Sequence, residues 1–242
     1  MVEPPKGRSQ MHSSIVREPT KPTLIPKPIL PATLAFVAGF VDACSFLAFQ
    51  GFFVAQATGS FVVAGSELLN PNDKYGLKVL AIPVFLVSGM LATFVVRLVA
   101  RTDRLALTVM LGVEAVLLTV LAATWLFRAS DGLNAEVALF GLAAMGVQSA
   151  TARLLLTGYG STNVMTTNTT QLSIDLADSI LNRSLSLNLL PTFMIIAGFF
   201  IGVAVGAIVF QMIGLGGVVI PAAIVFLLVF VARDATQASR LA

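Results

Sequence analysis

Long apolar runs alternate with short polar breaks along most of the chain. Six runs reach or approach the roughly 20 apolar residues that a helix needs to cross about 30 Å of hydrocarbon. They occupy 29–49, 79–96, 105–127, 137–156, 189–210 and 213–232. Leu, Ile, Val, Phe and Ala fill these runs on every side, so each predicted helix has lipid or other helices around it rather than water. Pro83, Pro191 and Pro221 fall inside runs. In a membrane bundle they are tolerated as kinks, because neighbouring helices re-satisfy the freed backbone.

Two further stretches, 51–69 and 158–178, are harder to place. The first is apolar enough to raise the question of a crossing. The second carries Ser161, Thr162, Asn163, Thr166, Thr167, Asn168, Thr169, Thr170, Gln171, Ser173, Asp175 and Asp178, a set too costly to face lipid. Both are read as broken or re-entrant segments buried within protein, each following a spanning helix. The expected fold is therefore all-α, a polytopic transmembrane helical bundle of about six spans.

Composition supports this reading. Of 242 residues, 57% are hydrophobic and 11% charged, with a mean hydropathy of +0.91. Soluble domains carry about 25% charged residues, so a soluble globule, a disordered chain and, with Cys44 alone, a disulfide scaffold are excluded. Residues 1–27 hold five prolines and five basic residues and read as a disordered tail, in which His12 stands alone. With six crossings and this tail in the cytoplasm, 12 Lys and Arg fall inside and 3 outside, as the positive-inside rule requires. Arg97, Arg101 and Arg104 are the inside cluster beyond the tail. The expected setting is the bacterial cytoplasmic (inner) membrane, with both termini cytoplasmic.

The chain also repeats itself. Gly39, Ala43, Leu47 and Gly51 match Gly146, Ala150, Leu154 and Gly158 at an offset of 107. After one inserted residue, Thr58-Gly59-Ser60 falls on Thr166-Thr167-Asn168 and Pro83 on Pro191, at an offset of 108. Membrane repeats are thus expected at 28–130 and 131–242. With three crossings each, an odd number, they face opposite ways, the inverted arrangement that secondary transporters use around a midplane site.

Polar groups at membrane depth form the shortlist of candidate binding residues. Asp42 lies well inside the first span, where it could carry a proton. Glu114 lies midway along the third, and Arg153 near the end of the fourth, where it either snorkels or serves an anion. Thr58, Gly59 and Ser60 are expected to face Thr166, Thr167 and Asn168 across one cavity. Interrupted helices there present free N–H groups that suit an anion or a carbonyl oxygen. Gln148 and Asn163, with Gln50 and Gln56, extend that lining. The alternative for all of them is structural: capping broken helices and fixing helix contacts.

The run LAFVAGFVDACSFLAFQGFFVAQATGSFVVAG at 34–65 resembles the YoaK-like family of bacterial integral membrane proteins of unknown function. The match lies in Gly39-Phe40-Val41-Asp42-Ala43 and in the following Thr-Gly element, where Ser60 stands for the Asn that members carry. Thr167-Asn168 keeps that amide in the second half. The resemblance covers nearly the whole chain after the tail and implies a multi-pass membrane protein without implying a substrate.

Missing signals narrow the options. There is no phosphate-cradling glycine loop with Lys, no HExxH, and no paired Cys or His cluster, so neither ATP-driven pumping nor a metal or other cofactor is indicated. Gly214-Leu215-Gly216-Gly217 reads as a tight turn. Gly198, Gly202 and Gly206 form a small-residue stripe for helix contact within one chain, or between copies of a homo-oligomer. The basic pI of about 9.4 follows from tail and loops and calls for no nucleic acid. The leading expectation is a secondary transporter or permease for a small polar or anionic solute, not an enzyme. The alternative is a non-transporting membrane scaffold or sensor.

Overall fold

The computed structural model describes residues 28–67, 80–99, 102–128 and 137–241. The basic tail, Arg101 and the loop with Lys74 and Lys78 lie outside them. In chain order the helices are α1 (Ile29–Ala48), α2 (Ala57–Glu67), α3 (Ala81–Phe94), α4 (Asp103–Arg128), α5 (Ala138–Leu155), α6 (Met165–Asn182), α7 (Leu189–Ile213) and α8 (Val219–Leu241). A π-helical turn, Val95–Val99, extends α3, and a 3-10 turn, Gly214–Val218, joins α7 to α8.

Five continuous helical stretches among the described residues are long and apolar enough to cross a membrane: Ile29–Ala48, Ala81–Leu98, Asp103–Trp125, Ala138–Leu155 and Leu189–Ala232. The last holds 44 residues. At 1.5 Å per residue it would measure about 66 Å if straight, over twice the hydrocarbon thickness. It turns at Gly214, whose φ of +62° suits glycine, with the rings of Trp125 packed against that glycine and Gly216. The six apolar runs of the sequence are accordingly all helical, and the glycine cluster at 214–217 is a turn. By contrast α2, with 11 residues, is about 16 Å long and too short to span. Helix α6 has 18 residues, but its Thr, Asn, Gln and Asp content keeps it out of the spanning set.

The outer faces are as apolar as the core. Leu86, Phe200, Ile208 and Leu227 are each more than 60% exposed, an exterior suited to lipid and not to water. The chain is a multi-pass helical membrane protein. Burial is uneven in an informative way: 72% of the α1 span is buried and 17% of the α3 span. Helix α1 lies at the centre of the bundle, and α3 stands at its edge.

Contacts run crosswise along the chain. Helix α1 packs along α7, α5 along α3, and α4 against both α5 and α8. Between hydrocarbon-embedded helices, close approach requires small residues, and they stand at the two crosswise seams. Gly198, Gly202 and Gly206 of α7 rest on the carbonyls of Ala32, Phe36 and Phe40 of α1, while Gly39 rests on that of Phe199. A Cβ at Gly206 would stand 2.6 Å from the Phe40 oxygen. At the other seam Gly146 of α5 lies against Ser88 and the Phe85 carbonyl of α3. The glycine stripe thus serves contact within the chain.

This packing separates two kinds of glycine. Gly202→Ala forces a methyl into the Phe36 carbonyl and should cost about 1–3 kcal/mol, lowering the thermal midpoint of the detergent-solubilised protein by several degrees. Gly112 in α4 has open space at its Cβ position. There Gly112→Ala should be neutral or stabilise by about 0.5–1 kcal/mol. Equal effects at both positions would contradict the seam.

Candidate functional site

At the end of α1 the Phe49 N–H bonds to the Ser45 carbonyl, and the chain reverses through Gly51, with φ +91°. The same construction recurs after α5: the Leu156 N–H bonds to the Ala152 carbonyl, and Gly158 has φ +100°. Such left-handed φ is cheap only for glycine. Each turn leads into a short connecting segment and then into α2 or α6.

Both segments are held from below by the helix they leave. The Asp42 carboxylate, buried to 2% exposure, accepts the backbone N–H groups of Val54 and Ala55 on Oδ1, at 2.9 and 2.8 Å. Gln56 Nε2 donates to its Oδ2 at 3.1 Å. In the second place Ser149 Oγ accepts from Asn163 Nδ2 at 2.7 Å. The pairs Asp42–Gln56 and Ser149–Asn163 have the same 14-residue separation and are related by the sequence offset of 107. Ser149 is the partner that the residue reading missed. The offset applied to Asp42 is the signal that points to it.

Asn163 belongs to a larger buried network. Gln148 Nε2 donates to the Leu34 carbonyl of α1 and to Thr162 Oγ1, both at 2.9 Å. Thr162 Oγ1 donates to Asn163 Oδ1 at 2.8 Å. Gln148, Thr162 and Asn163 thereby fasten α1, α5 and the connecting segment together, while Gln148 Oε1 has no hydrogen-bond partner.

The remaining candidates separate. Thr167 and Asn168 line a cavity of about 250 Å³ with Tyr159, Gln171, Asn188 and Thr192, between the start of α6 and the start of α7. Asn168 Nδ2 donates to the Ser161 carbonyl at 2.5 Å, while Thr166 is exposed on α6. Thr58 is exposed, Gly59 packs on the Phe53 ring, and Ser60 is buried with its hydroxyl unpartnered. These three line neither that cavity nor a second one, beside Asp42. The second, about 230 Å³, lies beside Asp42 and Gln56 and is walled by Phe46, Phe53 and Phe199. Arg153 is exposed near the end of α5. Glu114 is fully buried in α4, and neither carboxyl oxygen has a hydrogen-bond partner. No group of three or more His, Cys, Asp or Glu suited to a metal occurs among the described residues.

A family model described as Protein of unknown function (DUF1275) matches residues 30–231. The chain belongs to the DUF1275 family. That match runs from the start of α1 into α8 and includes both interrupted segments of the DUF1275 helical bundle. No curated protein and no solved structure matches the chain.

The hydrogen bonds assign different consequences to Asp42 and Glu114, two of the buried carboxyl groups of this DUF1275 chain. Asp42→Ala strands two buried N–H donors and should cost about 2–5 kcal/mol. Asp42→Asn retains an acceptor and should cost about 1 kcal/mol. Thermal unfolding and faster amide exchange at Val54 and Ala55 read the difference. Glu114→Leu removes an unsatisfied buried carboxyl and should stabilise by about 1–3 kcal/mol. A loss of stability there would show that Glu114 has a partner in the folded protein.

Proposed function

We propose that the chain is a secondary transporter or permease for a small polar solute, working by alternating access between two halves of opposite orientation, 28–130 and 131–242. The observation that carries this reading is the duplicated interruption. A spanning helix, a positive-φ glycine turn, a side-chain clasp at 14-residue spacing and a second helix occur twice, the turn and the clasp at the same sequence offset. The packing is reciprocal in the same sense, since the first spanning helix of each half lies along the second spanning helix of the other, α1 on α7 and α5 on α3. Halves that exchange helices in this way can rock against each other about the shared α1–α5 centre while the interrupted segments stay intact.

The polar cavity supports the choice of solute. Its side chains are Thr, Asn, Gln, Tyr and one Pro, without a charged residue. Hydroxyls and amides both donate and accept, so they suit an uncharged polar molecule or a small anion. The cavity lies at the start of α6, whose first-turn N–H groups favour negative charge or a carbonyl oxygen. The reading places the protein in the inner membrane with both termini cytoplasmic, as the basic-residue distribution favours.

Proteoliposomes test this with stopped-flow light scattering against polyols, small amides and monocarboxylates. Wild-type vesicles should take up at least one class faster than empty vesicles. Thr167→Val and Asn188→Leu should slow that uptake roughly three- to tenfold for each lost hydrogen bond, with unchanged thermal stability. Uptake equal to empty vesicles for every solute would leave the scaffold alternative, and uptake insensitive to both substitutions would remove this cavity from the pathway.

A further inference from the structure

The cavity beside Asp42 has a chemistry opposite to that of the polar one. Its volume is about 230 Å³, space for about eight waters, yet its walls are almost wholly apolar. Phe46 and Phe53 stand with ring centroids 4.9 Å apart and planes tilted by 38°, and Phe199 of α7 also lines the cavity. Phe46 and Leu47, which line it, are exposed by 41% and 42%. Asp42 and Gln56 supply the polar end.

Asp42 is solvated but not neutralised. Its three hydrogen bonds come from uncharged N–H donors, two on Oδ1 and one on Oδ2, which leaves lone-pair capacity on Oδ2. No cationic side chain pairs with it among the described residues. The carboxylate lies six residues before the end of α1, about 9 Å along the helix, where an unbalanced charge is expensive.

We propose that this cavity binds a small organic ammonium ion, its charge against Asp42 and its alkyl groups against the three phenyl rings. Each alternative occupant fails on one wall. An inorganic cation needs several oxygen ligands to replace its hydration shell, and phenyl rings supply none. An anion meets the carboxylate, and a neutral apolar group leaves it unbalanced. An alkylammonium satisfies both ends, since aromatic faces attract such cations directly. The inference goes beyond the transport reading and does not rest on it, because binding here can be measured without flux and at different residues.

The probe is choline, compared with its uncharged isostere 3,3-dimethylbutan-1-ol, using the delipidated full-length protein in detergent and calorimetric titration. Choline should bind and the isostere should not. Asp42→Asn should weaken choline by roughly thirtyfold or more, and Phe46→Leu, at a half-exposed position, by about three- to tenfold. The isostere comparison uses the unaltered protein, so it decides the matter even if Asp42→Asn fails to fold. Equal binding of the isostere, no binding of choline, or choline binding unchanged by Phe46→Leu would overturn the proposal. Nanodiscs then distinguish the source. Choline excluded by phosphatidylcholine but not by phosphatidylglycerol identifies a lipid headgroup as the occupant, whereas equal binding in both identifies a free ammonium solute.

Discussion

Backbone N–H and C=O groups inside hydrocarbon must find partners within the protein, and this constraint governs the structure wherever a helix is interrupted. Continuous helices meet it by themselves. The segment between α1 and α2 cannot, and Asp42 meets it by accepting the N–H groups of Val54 and Ala55. Because these bonds fix the path after Gly51, they also fix where α2 starts, where Phe53 points its ring and where the cavity beside Gln56 opens. One carboxylate therefore has two consequences, a held backbone and a buried charge. Asparagine can supply much of the first and none of the second.

Seams of small residues place those features at the centre of the bundle. Gly39 and the α7 stripe bring α1 and α7 to backbone contact, which puts Phe199 over the Asp42 cavity. Gly146 does the same for α5 and α3, and Gln148, two residues later, reaches back to the Leu34 carbonyl of α1. Helices α1 and α5 bury polar side chains such as Asp42, Ser45, Gln148 and Thr151, whereas α6, expected to be buried within protein, buries only Asn168 and Asp175 and leaves its other polar side chains outside the core.

Much of the architecture was legible in the sequence, because apolar run length measures depth in a membrane directly. Among the described residues all six runs are helical, the turn at 214–217 and the in-chain use of the glycine stripe follow their residue patterns, and neither 51–69 nor 158–178 yields a candidate span. The sites were less legible. Run length locates Asp42, Glu114 and Thr167 along their helices but gives no azimuth, so it could not show that Thr58–Ser60 and Thr166–Asn168 open onto different surroundings. Nor could it separate a bonded carboxylate from an unbonded one: Asp42 has three donors, whereas Glu114 has none. The phenyl wall was invisible for a related reason, since Phe46, Phe53 and Phe199 look like any lipid-facing aromatics until the α1–α7 seam brings them together.

The central claim is that two similarly built halves face opposite ways across the bilayer. Single cysteines at Thr102, before α4, and Gln211, near the end of α7, test it most directly in a Cys44→Ala background. A membrane-impermeant maleimide added to sealed cells should label the residue 211 cysteine and reach the residue 102 cysteine only after permeabilisation. Labelling of both from the same side would contradict the opposed orientation and, with it, alternating access between these halves.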